Sequence, residues 1–314
     1  MTTHFATRPD HGMALVGGAD ATSFLQNLVS QDLDPVANGG GTHSLLLSPQ
    51  GKLQVDFRAL RVGEQWWLDC EAGYGAVLVA LLARYRIRVD VELDDRSGRW
   101  GSIEVRGREA GARVAALAGV DVPEAIHAHV AWAGDDTDGR RVVRAEWPGV
   151  SGVDVLGPID ALSEVRDGLL RAGVDPYAPG AYEAARIEAG VARLGVDIDD
   201  RTIPQEAFLE RDAVSFTKGC FLGQELVCRI DTRGHVNRLL RGLRIAGDVV
   251  PPAGAAVIVA GVDRGVVTSA AALGAEHRSV ALAMVRREVE PPADVSVRWE
   301  DREVPARLQA LPGS

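Results

Sequence analysis

Eight consecutive residues, Lys218-Gly219-Cys220-Phe221-Leu222-Gly223-Gln224-Glu225, gather a cation, a thiol, an amide and a carboxylate around two glycines. Glycine takes positive φ without steric cost, so the thiol of Cys220 can sit on a tight loop instead of inside a strand or helix. The loop is expected to open a helix. Gln224 and Glu225 fall in its first turn, where a carboxylate complements the positive dipole end, and Leu226, Val227 and Ile230 supply an apolar face. A thiol beside Lys218 and near a helix N-terminus is placed where thiolate is favoured, which is the setting of a reactive cysteine. The bland alternative is a small buried hydrophobe.

Other candidates lie far away in the chain. Glu188 stands on a short helical stretch with Arg186. The simplest use of its carboxylate is a surface ion pair with Arg186 or Arg193. Asp56 alternates with Val55 and Phe57 on an expected strand and so faces away from them. A cluster of arginines, Arg229, Arg233, Arg238, Arg241 and Arg244 with His235, is either a solvated face or an anion clamp. His127 and His129 could share one face of a strand, but two histidines without a third ligand do not make a metal site. Cys220 and Cys228 are also too far apart in sequence for a chelating pair.

The elements that must position these residues follow from periodicity. From Asp20, apolar residues Ala21, Phe24, Leu25, Leu28 and Val29 recur at helical spacing, with Asp20 as the cap. His43 to Leu47, the turn Ser48-Pro49-Gln50-Gly51, and Leu53, Val55 and Phe57 read as a hairpin. A strand at Trp66 to Leu68, a helix from Tyr74 to Tyr85 and an alternating strand Ile87 to Leu93 come next. A second cycle runs from Trp100 to Glu146 with a helix at Arg108 to Leu117. Together these suggest an α+β domain of ferredoxin-like type within about residues 50–150. Val153 to Leu156 is one more strand, Asp160 to Ala172 a helix closed by Gly173, and Pro179 starts another through Glu188. Beyond Leu239, six short apolar runs separated by Pro and Gly have the pattern of a small β-barrel.

The 314 residues suggest two or three domains, and 46% hydrophobic with 25% charged content is that of a soluble globular protein. Three cysteines without paired spacing argue against a disulfide framework and for a reducing cytoplasm. The longest apolar run, Ala76 to Ala83, is far short of the ~20 residues that span a bilayer. A net charge of −10 opposes non-specific attraction to nucleic acid or anionic lipid.

The Lys-Gly-Cys-aromatic-x-Gly-Gln-Glu run resembles the signature of the YgfZ family, folate-binding relatives of the glycine-cleavage T-protein (aminomethyltransferase) that support iron–sulfur enzymes. The likeness extends along most of the chain. It includes Val16 to Asp32, Leu47-Ser48-Pro49-Gln50-Gly51-Lys52, Ala185-Arg186-Ile187-Glu188-Ala189-Gly190 with Gly195-Val196-Asp197 and Thr202 to Glu206, and Gly265 to Ser269 with Ala281-Leu282-Ala283. The resemblance implies three domains around a central folate pocket. These are a discontinuous folate-binding domain (residues 1–50 plus 150–237), a ferredoxin-like α+β domain (51–149) and a C-terminal β-barrel (238–314). Tetrahydrofolate, or a one-carbon derivative, is then the expected ligand, and iron–sulfur client enzymes, including tRNA-modifying ones, are the expected transient partners. Glu188 would read the pterin, Asp56 would sit by the reactive folate nitrogens, Arg229 and Arg233 would take the glutamate tail, and Lys218 would tune Cys220. The T-protein carries two adjacent acids where this chain has Val55-Asp56, and it lacks the Lys-Gly-Cys signature. A true aminomethyltransferase, passing a methylene group from a lipoyl carrier to folate, is the alternative, and a non-catalytic scaffold is a third.

Overall fold

The computed structural model describes residues 2–136, 139–274 and 277–312. The chain divides into two compact units: Met1–Glu146, Val150–Pro176 and Glu210–Gln224 form one, and Trp147–Gly149, Tyr177–Leu209 and Glu225–Ser314 the other. The three-part division expected from the sequence is a finer proposal.

In the first unit the chain runs β1 (His4–Arg8), β2 (Gly12–Gly17), α1 (Ala21–Gln26), β3 (Gly41–Leu47), β4 (Leu53–Val62), β5 (Gln65–Cys70), α2 (Tyr74–Ala83) and β6 (Glu92–Asp95). It continues through β7 (Trp100–Arg106), α3 (Ala110–Ala118), β8 (His129–Ala131), β9 (Arg141–Arg144), β10 (Gly152–Pro158), α4 (Ile159–Arg171) and β11 (Asp175–Pro176). Two sheets result, one ordered β11-β1-β7-β10-β9-β8 and the other β3-β4-β5-β2-β6. The strands within residues 51–149 are thus shared between two sheets, each completed by strands from outside that range.

Alternation decides which side chains enter the core. On β4, Leu53, Val55 and Phe57 are buried, each worth roughly 1.5–3 kcal/mol, and Asp56 and Arg58 point to the opposite face. That polar face meets charges from the other sheet. Arg58 donates to Asp69 on β5 and, at 2.7 Å, to Asp154 on β10; Arg106 on β7 reaches Asp154 at 2.6 Å and Glu104 at 3.0 Å. His11 completes the group by donating to Asp69. Buried charges persist only when partnered, so this network ties the two sheets together by necessity. An apolar seam runs alongside, with Trp67 and Trp100 edge to face at 4.6 Å.

Three sequence expectations change here. The alternating run Ile87 to Leu93 pairs only from Glu92, and Ile87 is 72% exposed. Arg88 sits at φ 56°, which breaks an extended run, and Asp90 is bound elsewhere: its N–H donates to the Asp20 carboxylate at 2.8 Å and its carbonyl accepts from Asp20 N. Asp20 is therefore engaged with the 84–91 segment and makes no side-chain cap to α1, which ends after six residues. His127, at φ 65°, keeps β8 to three residues.

In the second unit, α5 (Ala181–Glu188) is followed by the barrel strands β12 (Arg238–Ala246), β13 (Ala256–Val259), β14 (Val262–Leu273), β15 (Arg278–Arg286), β16 (Ala293–Trp299) and β17 (Arg302–Gln309). The barrel is closed in the order β12-β15-β14-β13-β16-β17, as the six apolar runs suggested, with Leu243, Val257, Val267, Val285, Val297 and Leu308 inside. Between these two groups of elements, α6 (Glu210–Ala213) belongs to the first unit and α7 (Gln224–Arg233) starts at its border. Among the described residues, no helix is long and apolar enough to cross a membrane.

Candidate functional site

The Cys220 loop belongs to the first unit and is held on both sides. Cys220 is exposed, and Phe221 beside it is buried. Lys218, only 9% exposed, turns its ammonium to the carbonyl oxygens of Gln26, Val29 and Gln31 at 2.7, 2.8 and 2.9 Å. The sequence placed Lys218 as the thiol's cation; its geometry is that of a clamp on the end of α1, where a helix leaves carbonyls without partners. Burial, partly offset by Asp32 and Asp34, pulls its pKa down to about 8, so it is charged at neutral pH. Ser215 N–H donates to Ser30 O at 3.0 Å, and Ser30 Oγ to Ala213 O, so the segment is stitched to residues 30–31. At the other end Gly223, at φ 77°, lies against the turn of the β3–β4 hairpin; a Cβ there would stand 2.3 Å from Ser48 O. Of the two glycines it is Gly223 whose backbone needs the left-handed region. Helix α7 opens at Gln224 as expected.

Asp56 is half-buried on the same hairpin. His43 Nε2 donates to its Oδ1, and the two side chains are 23% and 19% exposed. The segment that carries Cys220 therefore runs along β3: α6 packs on that strand, Asp212 faces His43, and Gly223 reaches the turn. Gly223 lies against Leu47, which pairs with Leu53, and Asp56 is three residues further along β4, roughly 10 Å at strand rise. Sequence reading missed His43 as a partner. The signal was available, because Leu45 opposes Asp56 and His43, two residues earlier, shares its face.

In the second unit Glu188 is the last residue of α5, exposed, with Arg244 at 3.8 Å. The carboxylate that pairs with Arg186 and Arg193 is Glu183, and Arg193 reaches it at 2.9 Å. Arg186 also donates to Asp197 at 2.8 Å and to Ser269 Oγ at 3.0 Å. A register shift in β14 between Val267 and Ser269 turns both the Thr268 and Ser269 hydroxyls onto Asp197, each at 2.6 Å. The buried Arg186–Asp197 pair thus docks α5 on the barrel and fixes where Glu188 stands. Arg229 and Arg233 are exposed one turn apart on α7. Arg238 is taken by Glu206 at 2.9 Å, and Arg241 stacks over Phe208 at 5.5 Å.

His127 and His129 do not line one strand face together. Burial pushes His127 down to about 3 and His129 to about 4, and His129 Nε2 donates to Arg61 O at 3.0 Å. Both are neutral at pH 7. Among the described residues no group of three His, Cys, Asp or Glu is arranged to hold a metal ion.

Two sheets with flanking helices, a discontinuous chain path and a closed six-stranded barrel make up a T-protein-like architecture. Glycine-cleavage aminomethyltransferase T from Bartonella henselae shares it, with a TM-score of 0.86 over 100% of this chain and 86% of that one, at 23% identity. The chain belongs to the family of the GCVT N-terminal domain, whose model matches residues 10–218. It is 29% identical over 301 residues to an aminomethyltransferase of Rubrobacter xylanophilus, covering 94% of this chain and 78% of the relative. It is 31% identical over 307 residues to one of Thermus thermophilus, covering 96% and 84%.

Proposed function

We propose that this chain binds tetrahydrofolate and handles a one-carbon unit carried on it. The observation that supports this most directly is the near full-length likeness to proteins named aminomethyltransferase, joined to a half-buried Asp56 held by His43. In this reading Asp56 accepts a proton from a folate N–H as the carbon–nitrogen bond forms. Glu188 accepts the paired N–H donors of the pterin, and Arg229 and Arg233 attract the glutamate tail. Transfer of a methylene group from a lipoyl carrier to folate is the reaction the relatives' names favour.

A YgfZ-like role is the second reading, and the exposed Cys220 thiol on a loop clamped by Lys218 favours it. That role is folate-dependent maintenance of iron–sulfur enzymes, tRNA-modifying ones among them, in the cytoplasm. Calorimetry with tetrahydrofolate tests what the two readings share: binding is expected, and its absence would leave a scaffold. Glycine-cleavage turnover with a lipoyl carrier separates them. Turnover that survives Cys220→Ser supports the aminomethyltransferase, and no turnover by a folate-binding wild type supports the second.

A further inference from the structure

His43 and Asp56 are diagonal neighbours across the β3–β4 ladder, with Leu45 directly opposite Asp56. The imidazole donates from Nε2 to Oδ1 of the carboxylate, and both side chains are about four-fifths covered. Titratable and charged groups face His43 from three neighbouring segments. On β4, Arg58 is next along the same face, but its guanidinium is turned to Asp69 and Asp154. From α6 comes Asp212, whose backbone oxygen is held by Gln31 Nε2 at 2.8 Å. From the loop before β8 comes His127, its ring centroid 6.4 Å from that of His43 and its charge suppressed by burial.

We propose that His43 is the positioning residue for Asp56: it fixes the carboxylate through Oδ1 and keeps a proton beside it, with Asp212 behind, so that the pair presents one oriented carboxylate to the ligand. The ligand's identity rests on the folate reading above, whereas the pair itself does not. An aspartate alone on a strand has two free side-chain torsions, and a charge-assisted hydrogen bond removes that freedom before the ligand arrives.

The pair also sets a pH dependence. Burial pushes His43 down, but the charge and hydrogen bond of Asp56 and the charge of Asp212 outweigh it, and its pKa is raised above 6.5. The pairing is therefore fully charge-assisted below pH 6.5 and weakens as pH rises through the folded value. The neutral ring still donates from Nε2 to the carboxylate.

Histidine-selective 15N NMR across about pH 5–9 decides the pairing. The resonance missing from His43→Gln is expected to titrate above 6.5 in the wild type and to fall back in Asp56→Asn; a titration unmoved by Asp56→Asn overturns the proposal. Calorimetry with tetrahydrofolate gives the second readout. His43→Leu is expected to lose about tenfold in affinity, while His43→Gln, which keeps a donor but cannot titrate, stays within about threefold and loses the pH dependence. Equal affinities of wild type and His43→Leu would overturn the positioning role with the folate reading intact. A wild type that gives no heat sinks the folate reading, and the pair then stands or falls on the NMR titration.

Discussion

The Lys218 ammonium stands 2.7 Å from the backbone oxygen of Gln26, the residue that ends α1, so a side chain 192 positions along the chain caps a six-residue helix. Val29 and Gln31 add two more carbonyls at 2.8 and 2.9 Å. A cation at a helix C-terminus is favoured by the dipole, and here it also anchors the thiol-bearing loop.

Lys218→Met removes the donor from three carbonyls and is expected to destabilise the protein by about 3 kcal/mol. Hydrogen exchange of the amides in 213–223 should speed up more than that of the barrel. Lys218→Arg should not rescue it, because a planar guanidinium does not fit a cup made for a compact ammonium.

Gly223→Ala puts a methyl group 2.3 Å from Ser48 O at φ 77°. A cost of about 2 kcal/mol or more is expected in urea unfolding, with faster maleimide labelling of Cys220 as its loop is displaced from the hairpin.

On the YgfZ-like reading, Cys220→Ser should leave tetrahydrofolate affinity within about threefold while in-cell function is lost, because that reading assigns the exposed residue chemistry and not pterin recognition. Glu188→Ala should lower affinity about tenfold or more. Calorimetry beside complementation checks both; loss of affinity in the cysteine variant instead would reverse the division of roles.

Arg58→Met leaves Asp69 and Asp154 without the guanidinium that bridges the sheets, so a loss of about 3–5 kcal/mol is expected from denaturant unfolding. Replacing Arg58 and Asp69 together by apolar residues should recover part of that loss, since the desolvated carboxylate goes too.

The same network fixes a pH window. Burial alone would raise Asp69, but the charges of Arg58 and His11 outweigh it and hold it well below its ordinary 3.8; its contribution is present above that value and lost as pH falls through the folded one. His11, pushed down by burial but lifted more by Asp69, is raised above 6.5; its contribution is complete below 6.5 and fades as pH rises. Urea midpoints are expected to be highest between these limits, and His11→Gln should flatten the alkaline side and, because the His11 charge also holds Asp69 down, soften the acid side as well.

Local chemistry was legible in the sequence where it depends on neighbours. The hairpin with Ser48-Pro49-Gln50-Gly51 at its turn, the helix closed by Gly173 (φ 75°) and the six barrel strands follow from alternation and glycine placement. What could not be read depends on partners distant in the chain. Asp20 looks like a helix cap until Asp90 takes it, and Lys218 looks like a thiolate partner until Gln26 at the end of α1, with Val29 and Gln31 beyond it, supplies three carbonyls. The His43–Asp56 pair lay within reach, since it requires only the hairpin register.

Residues 210–224 complete the first unit, yet the whole of 177–209, which belongs to the second, precedes them in the chain. On the ribosome, where polypeptide emerges at about 5–20 residues per second, the N-terminal sheets must wait for a closing piece that leaves the exit tunnel late. The exposed Cys220 is carried by that piece. A truncated translation product stopping before it would therefore be incompletely packed and would lack that cysteine.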